Sequence, residues 1–166
     1  MAVSPSRAIA QAGRRLTHVL ETNGPHAIGL CLSESISPET QYIATKFTHG
    51  TLRSARLFCD PAEAVAAVEC GEVRALWLFD ASAFDDSLLA RRSLLGADLI
   101  VLQDDALPFD LPADVFFPTL RDDSTTSPQA KPDWWWVQQV ALAMGFRAGL
   151  QFTSAKQIRD EILREA

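Results

Sequence analysis

The chain has 166 residues, of which 48% are hydrophobic, and it carries a net charge of −6 with a pI near 5.0. This length predicts a single domain over residues 1–166 with a substantial hydrophobic core. The acidic balance and the lack of a basic patch argue against nucleic-acid binding. No apolar run approaches the roughly 20 residues of a membrane-spanning helix. Residues 1–15 carry no signal-peptide pattern, so we expect a cytoplasmic protein that does not associate with a membrane.

The apolar pattern predicts helices and strands that alternate along the chain. Apolar faces with helical periodicity indicate helices, and near-continuous apolar runs indicate strands that are covered on both faces. Ser37 and Asp60 are predicted N-caps, while Gly24 and Gly71 follow helix ends. The predicted elements, in chain order, are helix 6–22, strand 26–32, helix 38–50, strand 55–59, helix 61–71, strand 73–79, helix 88–95, strand 99–102, strand 115–117, helix 133–144 and helix 154–164.

This alternation predicts a parallel sheet between two layers of helices. With right-handed crossovers, the result is a Rossmann-like three-layer α/β domain with about five mainly parallel strands. Such sheets bind ligands beyond the carboxyl ends of their strands. The candidate cofactor-binding residues at those ends are Ser33, Asp80, Ser82, Gln103 and Asp104. No strand is followed by a G-x-G-x-x-G loop, so the usual nicotinamide fingerprint is absent.

The three cysteines, Cys31, Cys59 and Cys70, are odd in number and far apart in the sequence. They therefore cannot form a fully paired disulfide framework, and they suit a reducing compartment. No two of them have the C-x-x-C spacing of zinc or iron–sulfur ligands, so we predict no metal site held by this chain alone. Cys59 precedes a predicted helix N-terminus, where a thiolate is favoured and could serve as a metal ligand or redox thiol. The alternative is a small apolar residue at a strand end.

Five segments follow one another in an order shared with an enzyme family. They are 54–59, 73–80, 97–104, 113–118 and 131–137. This order resembles the large catalytic subunits of molybdopterin oxidoreductases, above all assimilatory nitrate reductases and formate dehydrogenases, reduced to their cofactor-binding α/β domain. The resemblance implies that Cys59 lies one residue from the position of the family's molybdenum-ligating cysteine. It also implies a domain that binds the guanine dinucleotide end of the cofactor.

The sequence departs from the family in ways that bear on function. The cysteine cluster for an iron–sulfur centre, the domain that normally follows the cysteine ligand and the C-terminal barrel have no counterpart. Residues 81–83 replace an Asn-Pro pair, and no basic residue lies between Arg121 and Lys131. We therefore expect the isolated chain to hold no cofactor and to act as a non-catalytic binding or assembly subunit of a redox complex. The alternative is a subunit that completes a molybdopterin guanine dinucleotide site with a second chain.

Trp134, Trp135 and Trp136 are candidates for a partner interface. Three consecutive helical residues face three directions, so at least one ring should be exposed or contact another chain. We expect the other rings to attach the helix to the sheet. The partner would be another protein subunit or a second copy of the chain.

Overall fold

The computed structural model describes residues 3–53, 56–82, 92–107, 111–120 and 128–166. Within these ranges the strands form one parallel sheet in the order β2-β1-β3-β4-β5. The strands are β1 (Ile28–Cys31), β2 (Leu57–Phe58), β3 (Ala75–Phe79), β4 (Leu99–Asp104) and β5 (Val115–Pro118). The helices are α1 (Pro5–Asn23), α2 (Pro38–Thr45), α3 (Pro61–Glu69), α4 (Asp133–Ala143) and α5 (Ala155–Glu165).

The strand order confirms the predicted Rossmann-like α/β fold. From β1 the chain adds β2 on one side, and it then returns to add β3, β4 and β5 on the other side. The direction of winding therefore reverses between β1 and β3. In a doubly wound sheet, this switch point leaves a crevice at the carboxyl ends of the two strands, and ligands bind there.

Side-chain caps begin α2, α3 and α5, because the first backbone N–H groups of a helix lack partners within it. Ser37 Oγ accepts a hydrogen bond from the backbone N–H of Thr40 at 3.2 Å. Asp60 Oδ1 accepts from Ala62 N–H at 2.9 Å. Both caps were predicted from the sequence. Helix α1 ends at Gly24, which has a φ of 87° and takes the left-handed conformation at no steric cost.

Several elements differ from their predicted extents, and three of them bear on the site or on the sheet edge. Strand β2 has two residues within the described part of the chain, and residue 55 of the predicted strand lies outside it. Short strands at a sheet edge limit unwanted pairing with other chains. The helix predicted to reach Gly50 ends at Thr45 and continues as one π-helical turn over Lys46–Thr51. Strand β4 runs two residues beyond its apolar segment, to Asp104. Most of the helix predicted over 88–95 lies outside the described residues, of which 92–94 are helical.

The two faces of the sheet bury different side chains. We call the face covered by α1, α2 and α4 the aromatic face, because all the fully buried aromatic rings of the described residues lie on it. These rings belong to Phe47, Trp77, Phe79, Phe117 and Trp136. We call the opposite face, which packs against α3, the aliphatic face. Its buried side chains include Ala64, Val68, Leu76, Leu78, Ile100 and Leu102. No described helix is both long and apolar enough to cross a membrane.

Candidate functional site

Ser33, Ser35 and Asp80 form a hydrogen-bonded cluster at the switch point between β1 and β3. The hydroxyls of Ser33 and Ser35 each donate to Asp80 Oδ2 at 3.1 Å, and the two hydroxyl oxygens lie 2.9 Å apart. Asp80 Oδ1 accepts from the backbone N–H of Ser82 at 2.9 Å. Ser33 and Asp80 are half-buried, while Ser35 and Ser82 are exposed. We call these four residues the switch-point cluster; its polar atoms are open to solvent on one side.

The backbone at Asp80 directs this carboxylate toward the residues after β1. Asp80 has a φ of 91°, in the left-handed region that residues other than glycine rarely adopt. Aspartate is among the few that tolerate it. Its backbone N–H donates to the carbonyl of Gln103 at 3.0 Å, so the pairing with β4 continues to the last residue before the turn.

Asp104 lies behind the cluster and supports the turn that carries it. Its carboxylate is 7% exposed, and its Oδ2 accepts from the backbone N–H of Ala81 at 2.7 Å. Its Oδ1 accepts from Asp105 N–H at 2.8 Å. The first of these bonds fixes the backbone of the residue between Asp80 and Ser82, which gives Asp104 a positioning role.

Gln103 is fully buried on the aromatic face. Its Nε2 donates to the backbone carbonyl of Asp133 at 3.1 Å and to Asp133 Oδ1 at 2.9 Å, which attaches the first residue of α4 to the sheet. The structure thus brings Ser33, Asp80 and Ser82 together, and it places Gln103 and Asp104 beneath them. Sequence reasoning missed Ser35, whose signal was its position in the polar segment that follows β1.

Cys59 shares a small cavity with Ser33. The thiol is exposed at the end of β2, and the cavity of about 180 Å³ beside it is also lined by Leu32, Ser33, Glu34, Ile36 and Gln41. Gln41 was not predicted as a site residue, although it lies in the first turns of the helix that follows β1. The cavity therefore joins the end of β2 to the switch-point cluster.

The neighbouring thiol of Cys31 differs from that of Cys59. Burial, together with the nearby Cys59 and Asp60, raises the pKa of Cys31 to about 12. Cys31 therefore stays protonated at neutral pH and behaves as a core residue. Of the two cysteines at this edge, only Cys59 is available to a ligand.

The charges at this edge are negative. The cavity and the switch-point cluster contain Glu34 and Asp80, and none of their described members is a lysine or an arginine. Within the described ranges, no three His, Cys, Asp or Glu side chains converge as a metal-binding group. The arrangement offers hydroxyls, a carboxylate and a thiol, and it is suited to ligands that donate hydrogen bonds.

The three consecutive tryptophans lie in two environments. Trp136 is fully buried, stacks on Phe117 with ring centroids 4.7 Å apart, and donates from Nε1 to the carbonyl of Pro118 at 2.9 Å. Trp134 is 7% exposed. Trp135 is half-buried, meets Trp136 edge-on at 5.0 Å, and has the Lys131 ammonium 5.7 Å from its ring centre. Trp134 and Trp136 are core residues, and Trp135 alone of the three has a ring that a partner could contact.

No protein-family model matches this chain, and no curated protein matches it. The resemblance to molybdopterin oxidoreductases stays a prediction.

Proposed function

We propose that this chain is a binding or assembly subunit of a redox complex, built as a molybdopterin-oxidoreductase-like domain that does not catalyse a reaction alone. The observation that carries the proposal is the switch-point cluster, because it places two serine hydroxyls and a carboxylate where sheets of this class hold their ligands. The redox context comes from the order of segments that resembles molybdopterin oxidoreductases.

The chemistry of the cluster favours the nucleoside end of a ligand over its phosphates. The Asp80 carboxylate accepts hydrogen bonds, and the edge of a guanine ring or the hydroxyls of ribose can donate them. Phosphate oxygens need cationic or N–H donors, whereas the charged residues of the cluster and its cavity are Glu34 and Asp80. A second protein chain would have to supply the contacts to phosphate. Because this chain would contact the nucleoside and a second chain the phosphates, the proposed role is that of a subunit and not of a complete binding protein.

A second candidate function has one observation in its favour. Cys59 is exposed and lines the cavity that reaches Ser33, so a thiol stands next to the candidate binding edge. In this alternative, the chain completes a molybdopterin guanine dinucleotide oxidoreductase of the nitrate reductase or formate dehydrogenase type together with a second chain. Cys59 would then be the catalytic residue that ligates the metal.

Turnover assays separate the two candidates. The purified chain, and the complex isolated from its native host, are assayed with nitrate and formate and artificial electron donors or acceptors. We expect no turnover by the chain alone, and we expect molybdenum or tungsten to remain with the partner when the complex is separated. Turnover by the lone chain that Cys59→Ala abolishes would overturn the first candidate. Cys70→Ala is the matched control, because Cys70 is also exposed and lies at the end of α3, away from the cavity.

The ligand chemistry has its own test by titration calorimetry. We expect guanosine to bind weakly, with a dissociation constant of about 1 mM. Guanosine diphosphate should bind no better, because the carboxylates repel its phosphates. Asp80→Asn should weaken guanosine binding, whereas Asp160→Asn on helix α5 should not. Equal affinity of the wild-type and Asp80→Asn proteins would remove the switch-point cluster from the proposal.

A further inference from the structure

A second and larger cavity, of about 530 Å³, lies beside β5, two strands away from the switch-point cluster. We call it the edge cavity. Its volume is within the range of cavities that bind specific ligands or side chains. Most of its walls are apolar, and its lining residues include Val3, Ala8, Leu107, Val115 and Phe116.

The edge cavity runs around the outer edge of the sheet. Val115 belongs to the aromatic face, and Phe116 packs against the aliphatic face, because successive side chains of a strand point in opposite directions. A cavity that both residues line must therefore pass the edge of β5. This strand is the last named strand of the sheet within the described residues; its neighbour is β4, and at its end Pro118 accepts a hydrogen bond from the N–H of Lys131 at 3.2 Å. Edge strands are the places where a sheet meets other chains.

Exposed apolar side chains are concentrated at this edge. Five large hydrophobic side chains are exposed among the described residues, and two of them, Val3 at 51% and Leu107 at 55%, line the edge cavity. A third, Leu120, is 50% exposed and follows the end of β5. Contiguous exposed apolar groups with polar residues around them mark interaction sites. The edge therefore has the composition of a docking surface.

The charge at the rim indicates which kind of partner fits. Asp114 is already engaged, since its Oδ1 pairs with Arg15 at 3.2 Å and its Oδ2 accepts from Ile100 N–H at 2.7 Å. Asp105 is exposed, and its carboxylate makes no ion pair with any residue in the described ranges. A second copy of the chain, with a net charge of −6, would place one acidic rim against another. A basic partner segment complements this rim, and a second copy does not.

We propose that the edge cavity docks an apolar segment of a partner protein, with lysine or arginine beside the apolar side chains. The basic residue pairs with Asp105, and the apolar side chains enter between Val3, Leu107 and Phe116. This inference rests on the proposed function, because a binding or assembly subunit needs a surface for its partner. It names the chemistry of that partner, which the switch-point cluster does not determine.

A set of synthetic peptides tests the docking chemistry by fluorescence anisotropy. The probe alternates leucine with threonine and has lysines at both ends; one control peptide carries glutamates at the ends, and another has serine in place of leucine. We expect the lysine-flanked peptide to bind at least about tenfold more tightly than the glutamate-flanked one, and Asp105→Lys to reverse this order. Leu107→Ser should weaken binding at least about fivefold. Leu163→Ser is the matched control, because Leu163 is 75% exposed on helix α5.

The outcomes distinguish failure of the docking site from failure of the proposed function. If both charged peptides bind equally, or if Leu107→Ser and Leu163→Ser behave alike, the docking proposal is overturned. Light scattering could also show a concentration-dependent dimer that Leu107→Ser abolishes. That result would assign the cavity to a second copy of the chain and overturn the docking proposal as well. If the complex from the native host survives Asp105→Lys and Leu107→Ser, the partner binds elsewhere and the proposed function stands. A chain that purifies from that host without any partner would overturn the proposed function itself.

Discussion

The aromatic and aliphatic faces of the sheet hold the same strands in different ways. On the aromatic face, ring contacts at 4.7–6.1 Å link Phe47, Trp77, Phe79, Phe117 and Trp136 into one group. The aliphatic face packs leucines, an isoleucine and the alanines of α3. Aromatic side chains bury more area each, so a single truncation on the first face removes more stabilisation than one on the second. We therefore expect the aromatic face to contribute the larger part of the free energy of unfolding.

The aliphatic face, like the aromatic face to which Leu32 and Ile36 of the cavity belong, borders the candidate site. Cys31 and Phe58 belong to it, and both adjoin Cys59 at the end of β2. The side chains of this face are small and closely packed. A substitution that adds volume should therefore destabilise the folded protein more than one that removes volume. We expect changes there to alter the position of β2 and α3, and with them the cavity beside Ser33.

Trp136→Ala should have the largest effect of the changes considered. It removes a fully buried ring together with its stacking on Phe117 and its bond to Pro118, and it should cost about 3–5 kcal/mol in the free energy of unfolding. Trp135→Ala should cost about 1–2 kcal/mol, because its ring is half-buried. Urea denaturation followed by circular dichroism measures both values. Equal losses would contradict the assignment of Trp136 to the core and Trp135 to the surface.

Gly29→Ala tests the tight packing of the aliphatic face. A Cβ at position 29 would lie 2.8 Å from Cε2 of Phe58 and 3.5 Å from Cδ1 of Leu76. We expect a cost of about 1–3 kcal/mol from overpacking, measured by urea denaturation. Gly50→Ala is the control, since its nearest neighbour, Cγ of Lys46, is 3.9 Å away. If Phe58→Leu does not reduce the cost of Gly29→Ala in a double-mutant cycle, contact with this ring is not its cause.

Acid should weaken the attachment of α5, which lies over α2 on the aromatic side. Hydrogen bonds from Lys46 and Tyr42 hold the pKa of Glu161 below its ordinary value of 4.5. A depressed pKa in the folded state gives stability that is complete above the unfolded value, and that is lost as the pH falls through the folded value. Burial raises the pKa of Glu39, but the bonds from its own backbone N–H, Arg159 and Ser37 outweigh burial and lower it. The pKa is lowered at both carboxylates, so acidification should reduce the stability of the folded protein at each of them.

Glu161→Gln isolates this acid-sensitive contribution. We expect it to cost about 1 kcal/mol or less near neutral pH, since the pair with Lys46 is partly exposed. The difference from wild type should shrink as the pH falls from neutral through the lowered pKa of Glu161, because this carboxyl then becomes protonated in the wild-type protein. Urea denaturation across that pH range measures it. If the difference in free energy of unfolding grows on acidification, the pKa of Glu161 is not lowered in the folded protein.

Lys131→Gln should have the smallest effect. It removes the ammonium group that lies 5.7 Å from the centre of the Trp135 ring, a contact worth about 0.5–1 kcal/mol at an exposed site. Trp135→Ala should abolish the effect of Lys131→Gln in thermal melts. Additive losses would show that the two residues do not interact.

The sequence predicted the local features of this fold better than the pairing of its parts. Ser37 and Asp60 were found as helix caps because capping depends on residues a few positions apart. The order of strands was not predicted, since it depends on pairing between distant segments. The bond from Tyr42 to Glu161 joins residues 119 positions apart, and nothing in the local pattern of either residue indicated it.

The candidate site shows the same limit. Ser33, Asp80 and Ser82 follow two adjacent parallel strands, so the rule for carboxyl ends was enough to bring them together. Gln103 and Asp104 were expected beside them because the apolar run of β4 stops at Leu102. The strand continues for two more residues, however, and its alternation points Gln103 toward α4. Tertiary pairing extended a strand that local propensity would have ended.

The φ of 91° at Asp80 has a consequence for the evolution of this chain. Glycine adopts such a conformation without the penalty that a Cβ imposes, so selection for folding alone would favour glycine at position 80. That replacement would remove the carboxylate that Ser33, Ser35 and Ser82 contact. A laboratory selection for heat resistance, run without selection for binding, would therefore enrich glycine at position 80 and erase the recognition group before it damaged the sheet.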